Sequence, residues 1–381
     1  MSASAPVVGL ALSPTWLRGE AWREPGSRVE ELFDLAPYLD LATAAEEAGL
    51  DFLFAPDAGH IDSGALERSP GFSTHDPHTL TSMLAARTRR IGVVPTVQTL
   101  VASPFAVARG LMSLHRLSGG RAGWNAVTAL GGSENYGGSV HRGGSVGVDP
   151  RARDPEERRR RAAACIAAVR ALWESYPYDA ILADRATGRF ADAARVRPID
   201  LDDGVFRIAG PGTVAAHPDG EPPLFMAGAR PEAVAGSRAD AVFAAAPEAA
   251  DVAAQQRGLA AAFREAGRVE AAARLLPGLV VTVDRSRAEA ERLAALQDRG
   301  RGAAHWRATG TPEDVAAAIL TRADALDRLP DARFDGAIVL AGGSWRSLEL
   351  FCAEVVPALR SAGLLEPVPA ETPFRERLVR D

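Results

Sequence analysis

The sequence predicts an α/β protein, a (β/α)8 TIM barrel with insertions in its βα loops. Three observations carry that prediction. Short apolar runs alternate with longer stretches of helical period along most of the chain. The first run leads into Ser13-Pro14-Thr15-Trp16, without the glycine-rich turn that opens a nucleotide-binding open sheet. Polar residues gather at the carboxyl ends of the expected strands, the end at which such barrels do their chemistry.

Residues 7–12 make the first strand, and residues 28–48 an amphipathic helix closed by Gly49. The second strand, 52–55, runs into the loop Pro56-Asp57-Ala58-Gly59-His60. A helix over 77–89 accommodates proline in its first turn. Strand 91–99 and helix 104–117 follow, then the turn Ser118-Gly119-Gly120 and a fourth strand over 123–129. A glycine-rich loop separates that strand from a helix over 155–175. Residues 181–222 break the rhythm: rich in Asp, Gly and Pro, with a strand-like 204–208, they read as an excursion that has the makings of a hairpin. The alternation resumes with strands at 223–229, 241–246 and 276–283, backed by helices at 231–239, 248–266 and 285–296. Residues 297–308 form a second irregular stretch before a helix over 311–323, a last strand at 334–340 and a closing helix over 347–361. Eight strands with helices behind them fit one barrel domain spanning residues 1–381.

Composition narrows the function classes. Hydrophobic residues at 47% and charged residues at 24% are ordinary for a globular protein. A net charge of −6 offers no basic face to a phosphate backbone, so no nucleic-acid partner is expected. All 43 cationic residues are arginines, which excludes Schiff-base chemistry and a P-loop lysine. Cys165 and Cys352 lie far apart within helical patterns, and buried structural thiols are expected rather than a metal site. No charged-then-apolar leader precedes Val7, and no apolar run approaches the roughly 20 residues of a membrane span. The expectation is a reduced, cytoplasmic protein that meets no membrane.

The candidate site residues are the polar groups at the carboxyl ends of the strands. Asp57 and His60 follow strand two, Gln98 and Thr99 end strand three, and Asn125 and Thr128 belong to strand four. Gly228 and Arg230 follow strand five, and His305 falls in the second irregular stretch. The amino-terminal ends offer no comparable set. Trp124-Asn125 stands inside an otherwise apolar run, and a buried amide left unpaired costs about 1–3 kcal/mol. Asn125 therefore needs a partner, either a neighbouring strand or a flat heterocyclic ligand. His60 and His305 are the candidates for proton handling, since imidazole titrates near neutral pH. His75 and His78 flank Asp76-Pro77 with no carboxylate-rich helix nearby, so capping or surface roles are expected of that segment.

The residues also resemble a family. LSGGRAGWNAVTA from Leu117, ENYG from Glu134, ALWES from Ala171, PPLFMAGA from Pro222, ADAVFA from Ala239 and GTPEDVA from Gly310 recur in one order, closed by FDGAIVL and FCAEVVPALRSAGL. In that order they are similar to the nitrilotriacetate and dibenzothiophene-sulfone monooxygenase branch of the bacterial luciferase-like flavin enzymes. The resemblance implies a barrel that binds FMN at its carboxyl face, assembles as a homodimer or homotetramer, and receives FMNH2 from a separate flavin reductase. It implies O2 as co-substrate, and oxygenation of a small organic substrate through a flavin C4a-hydroperoxide. Carried over by motif, Asp57 matches the acidic position by the flavin, Thr99 the hydroxyl after strand three, and Asn125 and Thr128 the group by the ring and ribityl chain. Gly228 stands in the loop after strand five.

The sequence departs from the family at the phosphate. A His and a Tyr usual before the fourth helix are Pro155 and Arg159 here, and a Ser after strand five is Arg230. Either Arg159 and Arg230 keep the phosphate through charge-assisted contacts of about 1.5–3 kcal/mol each, or residues 158–161 are a solvated helical face and Arg230 closes the pocket. Three functions follow. The first is an FMNH2-dependent monooxygenase of a two-component system. The second is an oxidoreductase of the same superfamily using F420 or a tightly held flavin. The third is a flavin-poor paralogue acting as a binding protein. No metal is expected. Residues 63–74, 131–148 and the two irregular stretches are expected to form a lid, and they leave the substrate open.

Overall fold

The computed structural model describes residues 5–61, 63–64, 66–70, 74–128, 154–268, 273–297, 305–366 and 372–378. Nine parallel strands form its centre: β1 (Val7–Ala11), β2 (Phe52–Ala55), β3 (Gly92–Gln98), β4 (Trp124–Val127), β5 (Leu224–Ala227), β6 (Ala241–Ala244), β7 (Arg274–Val283), β8 (Trp306–Gly310) and β9 (Gly336–Ala341). Eight of them close a ring in the order β1-β2-β3-β4-β5-β6-β7-β9, with β9 returning to β1. The expected barrel is therefore present. The strand β8 stands outside the ring. The first residues of β7 pair with β6, from Arg274 opposite Ala241 to Pro277 opposite Ala244. Its last residues, from Leu279, pair instead with β8.

Helices lie between the strands: α1 (Leu35–Ala48), α2 (Pro77–Ala85), α3 (Pro104–Leu117), α4 (Pro155–Glu174), α5 (Pro231–Gly236), α6 (Ala249–Glu265), α7 (Arg287–Gln297) and α8 (Pro312–Asp327). After β9 come α9 (Trp345–Leu350), a π turn over Phe351–Val355, α10 (Val356–Ser361) and, near the end of the chain, α11 (Phe374–Leu378). The expected excursion is two antiparallel ribbons, Ile181–Asp184 with Arg189–Ala191 and Leu201–Asp202 with Arg207–Ile208.

Two expectations need correction. The first helix does not begin at Arg28, whose φ of 58° is left-handed; a 3-10 turn over Val29–Glu31 intervenes and α1 starts after Asp34. The irregular stretch 297–308 ends in β8, a strand whose Trp-Arg-Ala-Thr-Gly sequence has no apolar run to announce it. Residues 131–148, parts of 63–74 and all of 298–304 lie outside the described residues, and Glu134–Gly137 with them.

The alternation of each strand sends one set of side chains to the helices and the other to the barrel axis. On β4, Trp124 meets Trp173 of α4 edge to face at 5.9 Å, so Asn125 points to the axis. The lower barrel is filled by rings: Phe225 stacks on Phe243 at 5.3 Å, and Phe52 lies 5.1 Å from Phe225. Gly9 makes room for them, because a Cβ there would come within 2.2 Å of the Phe52 ring. Phe374 of α11 enters from below, 6.0 Å from Phe52 and 6.2 Å from Phe225.

The amino-terminal end is also polar, contrary to expectation. Asp51, Asp240 and Asp335, each just ahead of a strand, accept from Val8 N, Leu224 N and Leu275 N at 2.8, 2.8 and 3.0 Å. Arg375 of α11 donates to Asp240 at 2.9 Å, and Arg274 to the carbonyls of Leu378 at 2.9 Å and Ala5 at 2.7 Å. These buried charges hold the strand starts and the floor of the barrel together.

Candidate active site at the carboxyl face

The axis of the barrel turns from aromatic to polar at the level of Asn125. Its Nδ2 donates to Thr96 Oγ1 at 3.2 Å, and its Oδ1, on a side chain 1% exposed, has no hydrogen-bond partner among the described residues. One strand over, Gln98 Nε2 donates to the carbonyl and to Oδ2 of Asp57, both at 3.4 Å, while Asp57 Oδ1 accepts from Gly59 N at 3.1 Å. Asp57 and Asn125 thus meet the same mouth through Gln98 and Thr96, the latter a site residue the sequence reading missed. Thr99 is different. Its N and Oγ1 both donate to Val127 O, at 3.0 and 2.8 Å, and the residue is fully buried. Its hydroxyl ties β3 to β4.

Four of the other candidates share one cleft. Thr128, Arg159, Gly228 and Arg230 line a cavity of about 820 Å³ between the carboxyl ends of β4 and β5 and the first turns of α4 and α5. Gly228 has a left-handed φ of 60° and open space where a Cβ would stand, so the main chain itself borders the cleft. Arg230 is exposed at the N-cap of α5 with no ion pair among the described residues. Arg159 is engaged: its guanidinium is hydrogen-bonded to Glu156 one turn back. The amide groups at the start of α4 are engaged as well, since Asp154 accepts from Glu156 N at 3.2 Å and Glu157 N at 3.4 Å. Of the arginines that line this cleft, Arg160 is likewise paired, with Glu157, while Arg158 and Arg230 have no ion pair among the described residues.

The two histidines separate. His60 is exposed on the β2 loop, its Nδ1 2.9 Å from the carbonyl of Ala58. His305 enters the barrel just ahead of β8, against Gly278 of β7, where a Cβ would lie 2.4 Å from its Nδ1. That nitrogen is buried without a partner among the described residues. Burial, and then the charges of Arg18 and Arg307, hold the His305 pKa below its ordinary value. His75 packs edge-on against Tyr38 at 5.5 Å, a packing contact in place of the expected capping or surface role, while Asp76 caps α2 through Thr79 N at 2.7 Å. Cys165 and Cys352 are buried thiols, their pKa values pushed up to about 12 by burial.

Polar residues at the carboxyl ends of a closed parallel barrel narrow the comparison to barrel enzymes, and one family fits the length of the chain. A model described as luciferase-like monooxygenase matches residues 15–357. The chain belongs to the luciferase-like monooxygenase family. Among luciferase-like relatives, N-acetyl-S-(2-succino)cysteine monooxygenase of Bacillus subtilis (strain 168) is 33% identical over 225 residues, 58% of this chain and 48% of that protein. Dibenzothiophene-sulfone monooxygenase of Rhodococcus erythropolis is 32% identical over 204 residues, 51% of this chain and 43% of that protein. The chain spans about half the length of the curated relatives it matches. A riboflavin lyase solved with modified FMN and riboflavin superposes with a TM-score of 0.83 at 24% identity, over 98% of this chain and 95% of its own. At that identity the likeness is one of fold.

Proposed function

We propose that this luciferase-like chain is the oxygenase of a two-component system, which takes reduced FMN from a separate reductase and puts one atom of O2 into a small organic substrate. Asn125 carries the reading. Its orphaned Oδ1, on the axis of the mouth, calls for a donor, and leaving it unpaired costs about 1–3 kcal/mol. The pyrimidine edge of an isoalloxazine offers an N–H of the right kind, above an aromatic floor that suits a flat heterocycle. The residues present fit the cofactor at its other end too. Thr128 and Gly228 offer a hydroxyl and an open main chain for the ribityl group, and Arg230 offers the phosphate a guanidinium that has no ion pair among the described residues.

Bound there, reduced FMN supplies the activation of O2. The chain's own residues bind and orient. Asp57, pinned by Gly59 and Gln98, presents its carboxylate at a set position by the ring. The Phe225 and Phe243 rings below keep water from entering along the axis. His305 is the candidate for proton handling: its Nδ1 is buried without a partner among the described residues, and burial and then two nearby arginines oppose its protonation. His60, exposed, has the weaker claim to that role.

The test is a titration of the purified protein with FMN and F420, each oxidised and reduced. FMN is expected to bind with a Kd below about 100 μM. F420 alone binding would favour the deazaflavin reading. Binding of neither would leave a flavin-poor paralogue.

A further inference from the structure

The cleft between α4 and α5 is larger than one phosphate requires. Its volume of about 820 Å³ falls within the roughly 300–1,000 Å³ of a whole ligand site, and none of Asp57, Thr96, Gln98 and Asn125 lines it. The axis of the mouth is therefore not part of it. Ala126 and Met226, which do line it, alternate along β4 and β5 with Asn125 and Phe225, so they face the helices. The cleft thus leads outward from Thr128 and Gly228, away from the axis and between the two helices. Its walls are small: Ala162 and Ala163 on α4, Ala233 and Gly236 on α5. Where a Cβ of Gly236 would stand, no atom lies within 4 Å. At the far end Arg170 of α4 is hydrogen-bonded to the carbonyl of Ser237, which ties the helices together there.

Charged groups remain in the cleft after the others have paired. Glu156 holds Arg159, Glu157 holds Arg160 at 2.8 Å, and Asp154 accepts from the amides that open α4. Arg158, Arg230 and Glu232 have no ion pair among the described residues. Arg158 and Ala162 are one turn apart, so this guanidinium and the small-residue wall share a face of α4. Arg230 is the N-cap of α5, and Glu232 lies in its first turn. The single phosphate of FMN is matched by Arg230 alone. A second guanidinium, a carboxylate and the space beyond them are left over.

Resting on the flavin reading, we infer that the cofactor this site accepts best is the dinucleotide FAD, its diphosphate and adenosine held in the cleft between α4 and α5. Two phosphates give Arg230 and Arg158 one charge-assisted contact each. A carboxylate accepts hydrogen bonds from ribose hydroxyls, the part that falls to Glu232. Ala163, Ala233 and Gly236 leave width for a flat purine between the helices. FMN fills only the inner part of the same path, from the mouth to Arg230.

Riboflavin, FMN, FAD, F420 and ADP serve as probes, titrated into the full chain by fluorescence and calorimetry. FAD is expected to bind more tightly than FMN by about tenfold or more, and ADP to compete with FAD but not with riboflavin. Arg158→Ala should weaken FAD and ADP about tenfold or more and leave FMN within about twofold. Gly236→Leu, which fills the open space beside α5, should do the same by bulk. Circular dichroism checks folding, and if one variant does not fold, the other gives the same reading. FAD bound no more tightly than FMN, or ADP unbound up to about 10 mM, would overturn the inference. So would F420 bound more tightly than FAD, or equal losses of FMN and FAD in the variants. FMN bound with FAD no tighter would leave the flavin reading standing and this one refuted; if no flavin binds, both fall, whatever ADP does.

Discussion

Replacing Phe374 by alanine tests whether α11 is the floor of the barrel or an appendage to it. The side chain is fully buried, with its ring 6.0 Å from Phe52 and 6.2 Å from Phe225. It occupies space that Gly92 and Gly123 leave, where Cβ atoms would come within 2.7 and 3.2 Å of it. Truncating a buried phenylalanine costs about 3–5 kcal/mol, the sum of lost transfer free energy and the cavity left behind. Collapse into this cavity is restricted. The surrounding rings pack on one another, and Arg375 holds the helix to Asp240 at 2.9 Å. The upper part of the range, about 4–5 kcal/mol, is therefore expected. At about 2 °C per kcal/mol for a large domain, the melting temperature should fall by roughly 8–10 °C. Urea denaturation at equilibrium gives the free energy, and an FMN titration on the same variant gives the consequence for the site. Affinity should change by less than about twofold, because the floor and the mouth lie at opposite ends of the barrel. A loss below about 1 kcal/mol would mean that α11 is not seated under the strands. Weakened FMN binding at unchanged stability would refute the separation of floor from mouth.

Arg230→Ala should weaken FMN by about tenfold to a hundredfold and riboflavin hardly at all, because only FMN carries the phosphate; equal losses in parallel titrations would remove Arg230 from that role. Glu156→Gln frees Arg159 from its ion pair and should tighten FMN, not riboflavin, by up to about fivefold, the worth of an exposed pair; unchanged FMN affinity would show that Arg159 does not reach the phosphate. His115 gives a pH dependence. Burial first, and then the neighbouring His217, push its pKa down to about 4 in the fold, against 6.5 for the free group. Between those values the unfolded chain takes up a proton that the folded chain refuses, so stability falls as the pH drops through that window and levels off above it, by about 3 kcal/mol in all. Urea midpoints across the window should show a shallower slope for His115→Gln; an identical slope would assign the acid sensitivity elsewhere.

The fold could be read from the chain because its signals are local. Strands such as Phe52–Ala55 and Ala241–Ala244 are short apolar runs, buried on both faces, and helices such as Pro155–Glu174 and Pro312–Asp327 carry proline at the first turn and a capping residue before it. Where the local signal fails, the reading fails with it. Trp306–Gly310 is a strand only because β7 outruns β6 and leaves an edge to pair with, and no property of those five residues reports the length of another strand. Asp51, Asp240 and Asp335 look like ordinary loop carboxylates until pairing brings each to the amide of an adjacent strand.

The same division runs through the site. Asn125, Thr128, Gly228 and Arg230 could be chosen from the chain because barrel strands present their carboxyl ends to one face, and a polar residue at such an end is exceptional in an apolar run. Which of them share a space depends on the order of strands around the ring. That order sets Thr128, Arg159, Gly228 and Arg230 around one cleft, ties Thr99 into the β3–β4 seam, and leaves His60 at the rim. It also seats His305 against Gly278 of β7. Residue type and spacing determine which chemistry is available along a chain. Which groups act on one ligand is decided by ring closure, since contacts between residues hundreds of positions apart leave no periodicity in sequence to be read.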